Sequence, residues 1–217
     1  MSTQTGLEWF RGEGWLVLAG GEAESNDLRA EALIRIGLDR GFAFLGLNEA
    51  AGDAEIADLE DLGAPTGYLV NVLVEDDDTI RRGLLDVGLV VIDGSADPRQ
   101  MYDALQGAAA EAVYEAYQRG ALVLAEGPVA AIFGSCWLTD TGELIDGLGW
   151  VSDALILPGI GQSAAVRDIA RPVFEDRPHT LALGISNGSA LALGPDAKLE
   201  VWGENPVALT LGPGFTR

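Results

Sequence analysis

The sequence predicts an α/β protein built around a doubly wound parallel sheet. Short, nearly all-apolar runs recur up to about residue 158, amphipathic segments lie between them, and glycine or acidic residues follow many of the runs. Strands that are buried on both faces have such continuous apolar runs. The alternation βαβαβαβαβ is typical of a sheet with helices on both faces, which binds ligands at the carboxyl ends of its strands.

Five apolar runs are the predicted parallel strands. They are WLVLAGG from Trp15, FAFLGL from Phe42, TGYLVNVLV from Thr66, LVVID from Leu89 and ALVLA from Ala121. Their β-branched and aromatic content favours strands, and each is short enough to cross a sheet once.

Helices are predicted between these strands. The first should be capped by Asn26 or Asp27 and end near a left-handed Gly41. Two acidic helices are expected over 53–62 and 77–86, and the run 75–78 is interpreted as acid at a helix amino terminus rather than a calcium loop.

The clearest helix start is Asp97 followed by Pro98, with Gln100 as its partner three positions on. One helix is expected from here to Gly120. Its apolar stripe consists of Met101, Leu105, Ala108, Ala112 and Ala116.

Beyond about Pro158 the pattern changes to four short runs: TLALGIS, SALALG, KLEVWG and PVALTLG. Turn signals such as Asn187 with Gly188 separate them, so we predict an antiparallel meander that extends the sheet. The chain is therefore expected to form one domain over 1–217, with a core at about 14–160 and a C-terminal β extension at about 178–212.

Composition excludes several classes of function. The 34 acidic and 13 basic side chains leave a net charge of −21, which opposes nucleic acids and anionic membranes. A single cysteine, Cys136, and a single histidine, His179, make a disulfide framework or a multi-histidine metal site unexpected, and no cofactor is predicted. With no signal peptide or bilayer-length apolar run recognised, we expect a soluble, cytoplasmic protein.

A strand followed at once by a small-residue helix is the setting of a nucleophile elbow, and LVLAEGPVAAIFG over 122–134 has that form. The order of segments resembles the serine peptidase family of cyanophycinase and dipeptidase E, which has the class I glutamine amidotransferase-like, flavodoxin-like fold. The matching segments are the first strand with Gly20 and Gly21, VVIDGS, the elbow itself, GLGWVSDALILPGI and TLALGISNGSALAL.

The chain departs from this family where the resemblance would place catalytic residues. The family's elbow reads GTSAGA, and here Gly127 stands in the serine position, between Glu126 and Pro128. Where the family has a DQHF-like sequence with its histidine, this chain has Gln162 and Ser163. The acidic residues of the family's GIGIDEDTAL motif are also absent, since the matching stretch is GISNGSAL.

The turn that the family builds from two glycines and an amide pair is Asp93, Gly94 and Ser95 here. Acyl transfer needs a nucleophilic atom and a base beside it, and glycine supplies neither. Proline lacks an N–H, so Pro128 also removes one donor from any oxyanion site.

These departures favour a non-catalytic protein that binds a small ligand or a partner at the old crevice. The candidate crevice residues are Gly20, Gly21, Gly94, Ser95, Glu126, Gly127, Gln162 and Ser163. An alternative is a peptidase or amidohydrolase with rebuilt chemistry, using Cys136 or Ser163 with Glu126. A third hypothesis is an oligomer that pairs through an edge strand of the C-terminal β segment.

Other reactive side chains are given structural interpretations. Cys136 is expected to be a buried small hydrophobe and His179 a residue at the surface or at the start of a strand. The five tryptophans are expected to be mostly core or interface residues.

Overall fold

The computed structural model describes residues 6–21, 25–36 and 40–215. Its strands are β1 (Glu8–Trp9), β2 (Trp15–Ala19), β3 (Phe42–Gly46), β4 (Gly67–Asn71), β5 (Leu89–Ile92), β6 (Leu122–Ala125), β7 (Cys136–Leu138), β8 (Leu144–Asp146), β9 (Val151–Ser152), β10 (Ala154–Pro158), β11 (Leu181–Ile185), β12 (Ser189–Leu193), β13 (Leu199–Gly203) and β14 (Val207–Leu211). Its α-helices are α1 (Ser25–Ile36), α2 (Glu49–Asp61), α3 (Asp77–Leu84), α4 (Pro98–Ala104), α5 (Ala108–Gln118) and α6 (Ser163–Asp176). Three 3-10 helices span Gly127–Phe133, Pro195–Ala197 and Pro213–Phe215.

The larger sheet has seven strands in the order β13-β12-β2-β6-β5-β3-β4. From β2 to β4 every neighbouring pair is parallel, and these are the five strands that the sequence predicts. Separate clusters of buried apolar side chains lie against its two faces. The predicted α/β class with a parallel sheet is therefore confirmed.

The C-terminal strands do not form one meander, so that prediction is wrong in its pairing. β12 pairs antiparallel with β2 and β13 with β12, which extends the larger sheet. β11 and β14 belong instead to a second sheet of order β14-β11-β10-β7-β8. The turn over 186–188 carries the chain from one sheet to the other, with Gly188 at a φ of 71°. Apolar alternation predicts that a segment is a strand but does not tell which strand it pairs with.

The two sheets share a core that contains the segment after β6. Leu18 of β2, Ile156 of β10 and Leu183 of β11 all belong to one buried cluster. The 3-10 helix Gly127–Phe133 packs against β10, β7 and α4, and its residues are buried apart from the exposed Pro128. The predicted elbow segment is therefore held between the two sheets.

The starts of α3 and α4 agree with the sequence predictions. The carboxylate of Asp76 accepts a hydrogen bond from the N–H of Thr79, and that of Asp97 accepts one from Gln100, both at 2.9 Å. These bonds place the capping residues of α3 and α4 where acidic caps are expected.

Other boundaries differ from the sequence predictions. α1 begins at Ser25, so Asn26 and Asp27 lie inside its first turn rather than at the cap. Gly41 is not left-handed. The single helix expected from Asp97 to Gly120 is two helices, because Gly107 has a φ of 74° and interrupts the backbone before α5. Met101 and Leu105 stay buried despite this break, since α4 and α5 both cover the same core.

Among the described residues, no helix is long and apolar enough to cross a membrane. In the same part of the chain, no group of three or more histidine, cysteine, aspartate or glutamate side chains is arranged to hold a metal ion.

Tyr117 anchors the N-terminal segment to the core. Its hydroxyl donates a 2.6 Å hydrogen bond to the carbonyl oxygen of Phe10, and its ring meets Trp150 at a centroid distance of 5.3 Å. Burial, with a smaller contribution from Tyr114, raises the pKa of Tyr117 to about 12 from its ordinary value of 10.0. Charge on this phenol therefore opposes the folded state.

Replacing Tyr117 by phenylalanine is expected to lower the free energy of unfolding at neutral pH by about 0.5–1.5 kcal/mol, because the bond to Phe10 is lost. Since the folded pKa is raised, the unfolded chain ionises first. This residue's contribution to stability is complete below about pH 10 and is lost as the pH rises to about 12. Denaturant unfolding across that range should show a smaller alkaline loss in Tyr117→Phe. Tyr68→Phe, at a 57% exposed position, is the control, and an equal effect there would contradict the assignment.

Candidate functional site

The carboxyl ends of β2, β10 and β11 meet at one edge of the molecule. A side-chain carbon at Gly20 would overlap the carbonyl oxygen of Ser186, and one at Gly21 would overlap the Oδ1 atom of Asn187. At the end of β10, a carbon at Gly159 would lie 3.6 Å from the carbonyl oxygen of Gly20. The glycines predicted for the crevice therefore permit close packing of three strand ends.

Gly127 occupies a sharp turn directly after β6. The preceding Glu126 is extended, Gly127 begins the 3-10 helix with a φ of 55°, and Pro128 follows it. This strand, left-handed turn and helix have the form of a nucleophile elbow, in which the central residue's side chain would be presented at the strand end. Gly127 has no side chain to present.

The Glu126 side chain is buried and bound to Arg29 of α1. The Arg29 Nε atom lies 3.1 and 3.2 Å from the two carboxylate oxygens, and its Nη2 atom lies 2.7 Å from Oε2. Glu126 is 2% exposed and Arg29 is 7% exposed. This bidentate geometry makes the carboxylate a partner of the helix rather than an open base at the strand end.

Arg29 also contacts a second carboxylate. Its Nη1 atom lies 2.6 Å from Oε2 of Glu55, which is on α2 and partly exposed. Burial lowers the pKa of Arg29, but hydrogen bonds and charge from Glu126 and Glu55 outweigh burial and raise the pKa overall. The guanidinium therefore stays charged and joins α1, α2 and the end of β6.

Position 94 has room only for glycine, because its backbone packs directly against the elbow. A side-chain carbon there would lie 2.8 Å from both Cβ and the carbonyl oxygen of Glu126, closer than packed atoms approach. Beside it, the buried Asp93 carboxylate accepts hydrogen bonds from the N–H and hydroxyl of Ser95, at 2.9 and 2.7 Å. Gly94 is buried and Ser95 is exposed, so only Ser95 can meet a ligand through its side chain.

Gln162 and Ser163 lie at the amino end of α6, just beyond β10. Both are exposed, and the Gln162 side chain makes no capping bond to the helix. The first intrahelical bond runs from the N–H of Val166 to the carbonyl oxygen of Gln162, at 3.0 Å. The N–H groups of residues 163–165 precede that bond and point out of the helix end.

The structure does not bring the other reactive side chains to the elbow. Cys136 is fully buried in β7, and burial raises the pKa of its thiol, as expected for a structural cysteine. His179 is exposed and lies just before the amino end of β11, whereas Ser186 follows the carboxyl end of the same strand. A five-residue strand separates the two ends by roughly 16 Å.

Arg29 is the residue of this region that the sequence reasoning missed. It lies 97 positions from Glu126 and in a helix whose apolar pattern carries no sign of a buried charge. The sequence did contain a paired signal. An arginine lies in α1, the helix after β2, and an acidic residue directly follows β6, the strand beside β2 in the sheet. Such a pair can be suggested from topology but not from either segment alone.

The Arg29–Glu126 pair should behave as a buried unit. Glu126→Leu or Arg29→Met alone is expected to lower the free energy of unfolding by about 3–5 kcal/mol, because each removes the bidentate partner of a buried charged group. The double variant should recover much of that loss, and urea unfolding of the four proteins gives the coupling energy.

The exposed pair Arg81 and Glu111, whose side chains are 41% and 66% exposed, is the matched control. The cycle of Arg81→Met and Glu111→Leu should show coupling below about 1 kcal/mol. Equal coupling in the two cycles would contradict the assigned role of Glu126.

Comparison with known proteins identifies the fold. No protein-family model matches the chain, and no curated protein does. Among solved structures, a peptidase from an acI-B1 Actinobacterium aligns with a TM-score of 0.69 and 18% identity, over 94% of this chain and 97% of that chain. A candidate peptidase E from Listeria monocytogenes EGD-e aligns with a TM-score of 0.63 and 15% identity, over 88% of this chain and 98% of that chain. The fold implied by the resemblance is therefore confirmed: this chain has the fold of peptidase E-like proteins.

Proposed function

We propose that this protein binds a small carboxylate, such as an amino acid or a short peptide, at the strand ends around Gly127 and does not hydrolyse it. The observation that carries the proposal is the left-handed Gly127 at the elbow, with a φ of 55° and no side chain. The two fold neighbours are named as a peptidase and a candidate peptidase E, which suggests peptide-like ligands for this position.

Three features around Gly127 support the loss of hydrolysis. The elbow has no nucleophilic atom, the following Pro128 has no N–H to stabilise an oxyanion, and the Glu126 carboxylate is bound by Arg29. The rebuilt chemistry considered above gains no support, since Cys136 is buried and the Glu126 carboxylate that would serve Ser163 as a base is bound by Arg29. These features argue against acyl transfer at the elbow.

The helix end at Gln162 supports binding of a carboxylate. The N–H groups of residues 163–165 have no intrahelical acceptor, and a helix amino terminus attracts negative charge. Ser95, after β5, and Ser163, the first residue of α6, add exposed hydroxyl groups. Because the net charge of −21 repels anions at long range, this attraction comes from short-range donors at the site.

Acidic dipeptides should stabilise the purified protein without being cleaved. In a thermal-shift titration, the melting temperature is expected to rise with dipeptide concentration through linkage, while chromatography recovers the dipeptide intact. Amidated dipeptides, which lack the terminal carboxylate, serve as the ligand control. Cleavage above the buffer rate by the wild-type protein would overturn the non-hydrolytic part of the proposal.

Ser163→Glu tests where the carboxylate binds. A negative charge in the first turn favours the helix but repels an incoming carboxylate, so the protein should fold normally and lose the ligand-induced shift. Ser163→Gln, which adds similar bulk without charge, should retain most of it. An unchanged shift in Ser163→Glu would place the ligand elsewhere.

A further inference from the structure

The two sheets leave an apolar strip at one side of the molecule, on the strands β13 and β14 that end their respective sheets. Leu199, Val201, Leu209 and Leu211 are each about half exposed, at 50%, 49%, 51% and 50%. Isolated exposed apolar residues are common, but these four lie on two edge strands whose sheets share one core.

Strand register puts these four side chains on the side of the shared core. Val201 lies opposite Leu191 of β12, and Leu209 lies opposite Leu183 of β11. Directly opposed residues in antiparallel strands point to the same face, and both Leu191 and Leu183 are buried in the core between the sheets. The apolar strip is thus the open margin of that core.

The outer edge of β13 has backbone groups available for pairing. The N–H of Gly194 donates to the carbonyl oxygen of Lys198 at 2.8 Å, which fixes the phase of the β12–β13 ladder. Because antiparallel bonding alternates, the even-numbered residues Glu200 and Trp202 bond to β12. Leu199 and Val201 therefore direct their N–H and C=O groups outward, and the strand ends at the left-handed Gly203, which has a φ of 83°.

Charge along β13 is self-complementary. Lys198 precedes the strand and Glu204 follows it, each three residues from Val201 and each exposed. In an antiparallel pair of two copies centred on Val201, each Lys198 faces Glu204 of the second copy. Within the strand, Glu200 is paired with Arg35 at 2.7 Å.

We propose that β13 is a homodimer interface, in which two copies pair antiparallel across a two-fold axis at Val201. The outward N–H and C=O groups of Val201 then bond to those of its counterpart, and Leu199 lies opposite Gly203, which has no side chain to obstruct it. A two-fold contact requires a surface that matches itself, and this strand matches itself in hydrogen bonding, shape and charge. The chain's net charge of −21 opposes association in any orientation, so a dimer needs complementary contacts such as these.

Charge reversal tests the register directly. Sedimentation velocity of the native chain across the micromolar range should give a reversible monomer–dimer equilibrium. Lys198→Glu or Glu204→Lys alone should raise the dimer dissociation constant by about tenfold, because two attractive contacts become repulsive. The double variant Lys198→Glu/Glu204→Lys should return close to the wild-type value.

Val201→Lys places two like charges together at the axis and should give a monomer with an unchanged circular dichroism spectrum. Val74→Lys, at a 71% exposed valine beyond β4 on the opposite edge of the sheet, should leave the dimer intact. A wild-type protein that is monomeric at every concentration tested overturns the proposal. This holds also where a different protein is what covers the apolar strip. A double variant that fails to restore pairing also overturns it, as does equal dissociation by Val74→Lys.

Discussion

A buried ion pair at the end of β6 organises the region on which the functional argument rests. Arg29 holds the Glu126 carboxylate at distances of 2.7 to 3.2 Å and reaches Glu55 on the neighbouring helix. This contact turns the last side chain before the elbow toward α1. Gly94 then packs on the Glu126 backbone, and Gly127 makes the left-handed turn into the core between the sheets. A structural charge pair thus occupies a strand end that commonly serves ligands or chemistry.

Sequence patterns predicted the parallel sheet because each of its strands is a short apolar run that can be recognised from its own residues. Five apolar runs separated by helices and glycines correspond to β2 through β6 in a single sheet. The C-terminal strands have the same local pattern, yet they divide between two sheets. Their partners lie far away in the chain, as when β11 pairs with β10 and β12 with β2. The break at Gly107 could likewise not be predicted from the apolar stripe, because the stripe is buried on both sides of the break.

The candidate site was only partly predictable for the same physical reason. Gly20, Gly94 and Gly127 could be placed at strand ends from the resemblance and the strand pattern, and close contacts account for Gly20 and Gly94. The orientation of the Glu126 side chain could not be predicted, because it depends on Arg29, a helix residue 97 positions away. Gln162 and Ser163 were chosen from the resemblance alone, and their position between β10 and α6, with the exposed backbone donors of that helix, is visible only in the structure.

Binding without cleavage is the central claim, and nuclear magnetic resonance of the labelled protein with an acidic dipeptide tests it most directly. One titration reports both the location of the ligand and its integrity. The account predicts saturable amide shifts at residues 162–165 and around Ser95 and Gly127, with dipeptide resonances that remain unchanged in number over time. Appearance of free amino-acid resonances would contradict the account, as would saturable shifts confined to residues remote from these strand ends.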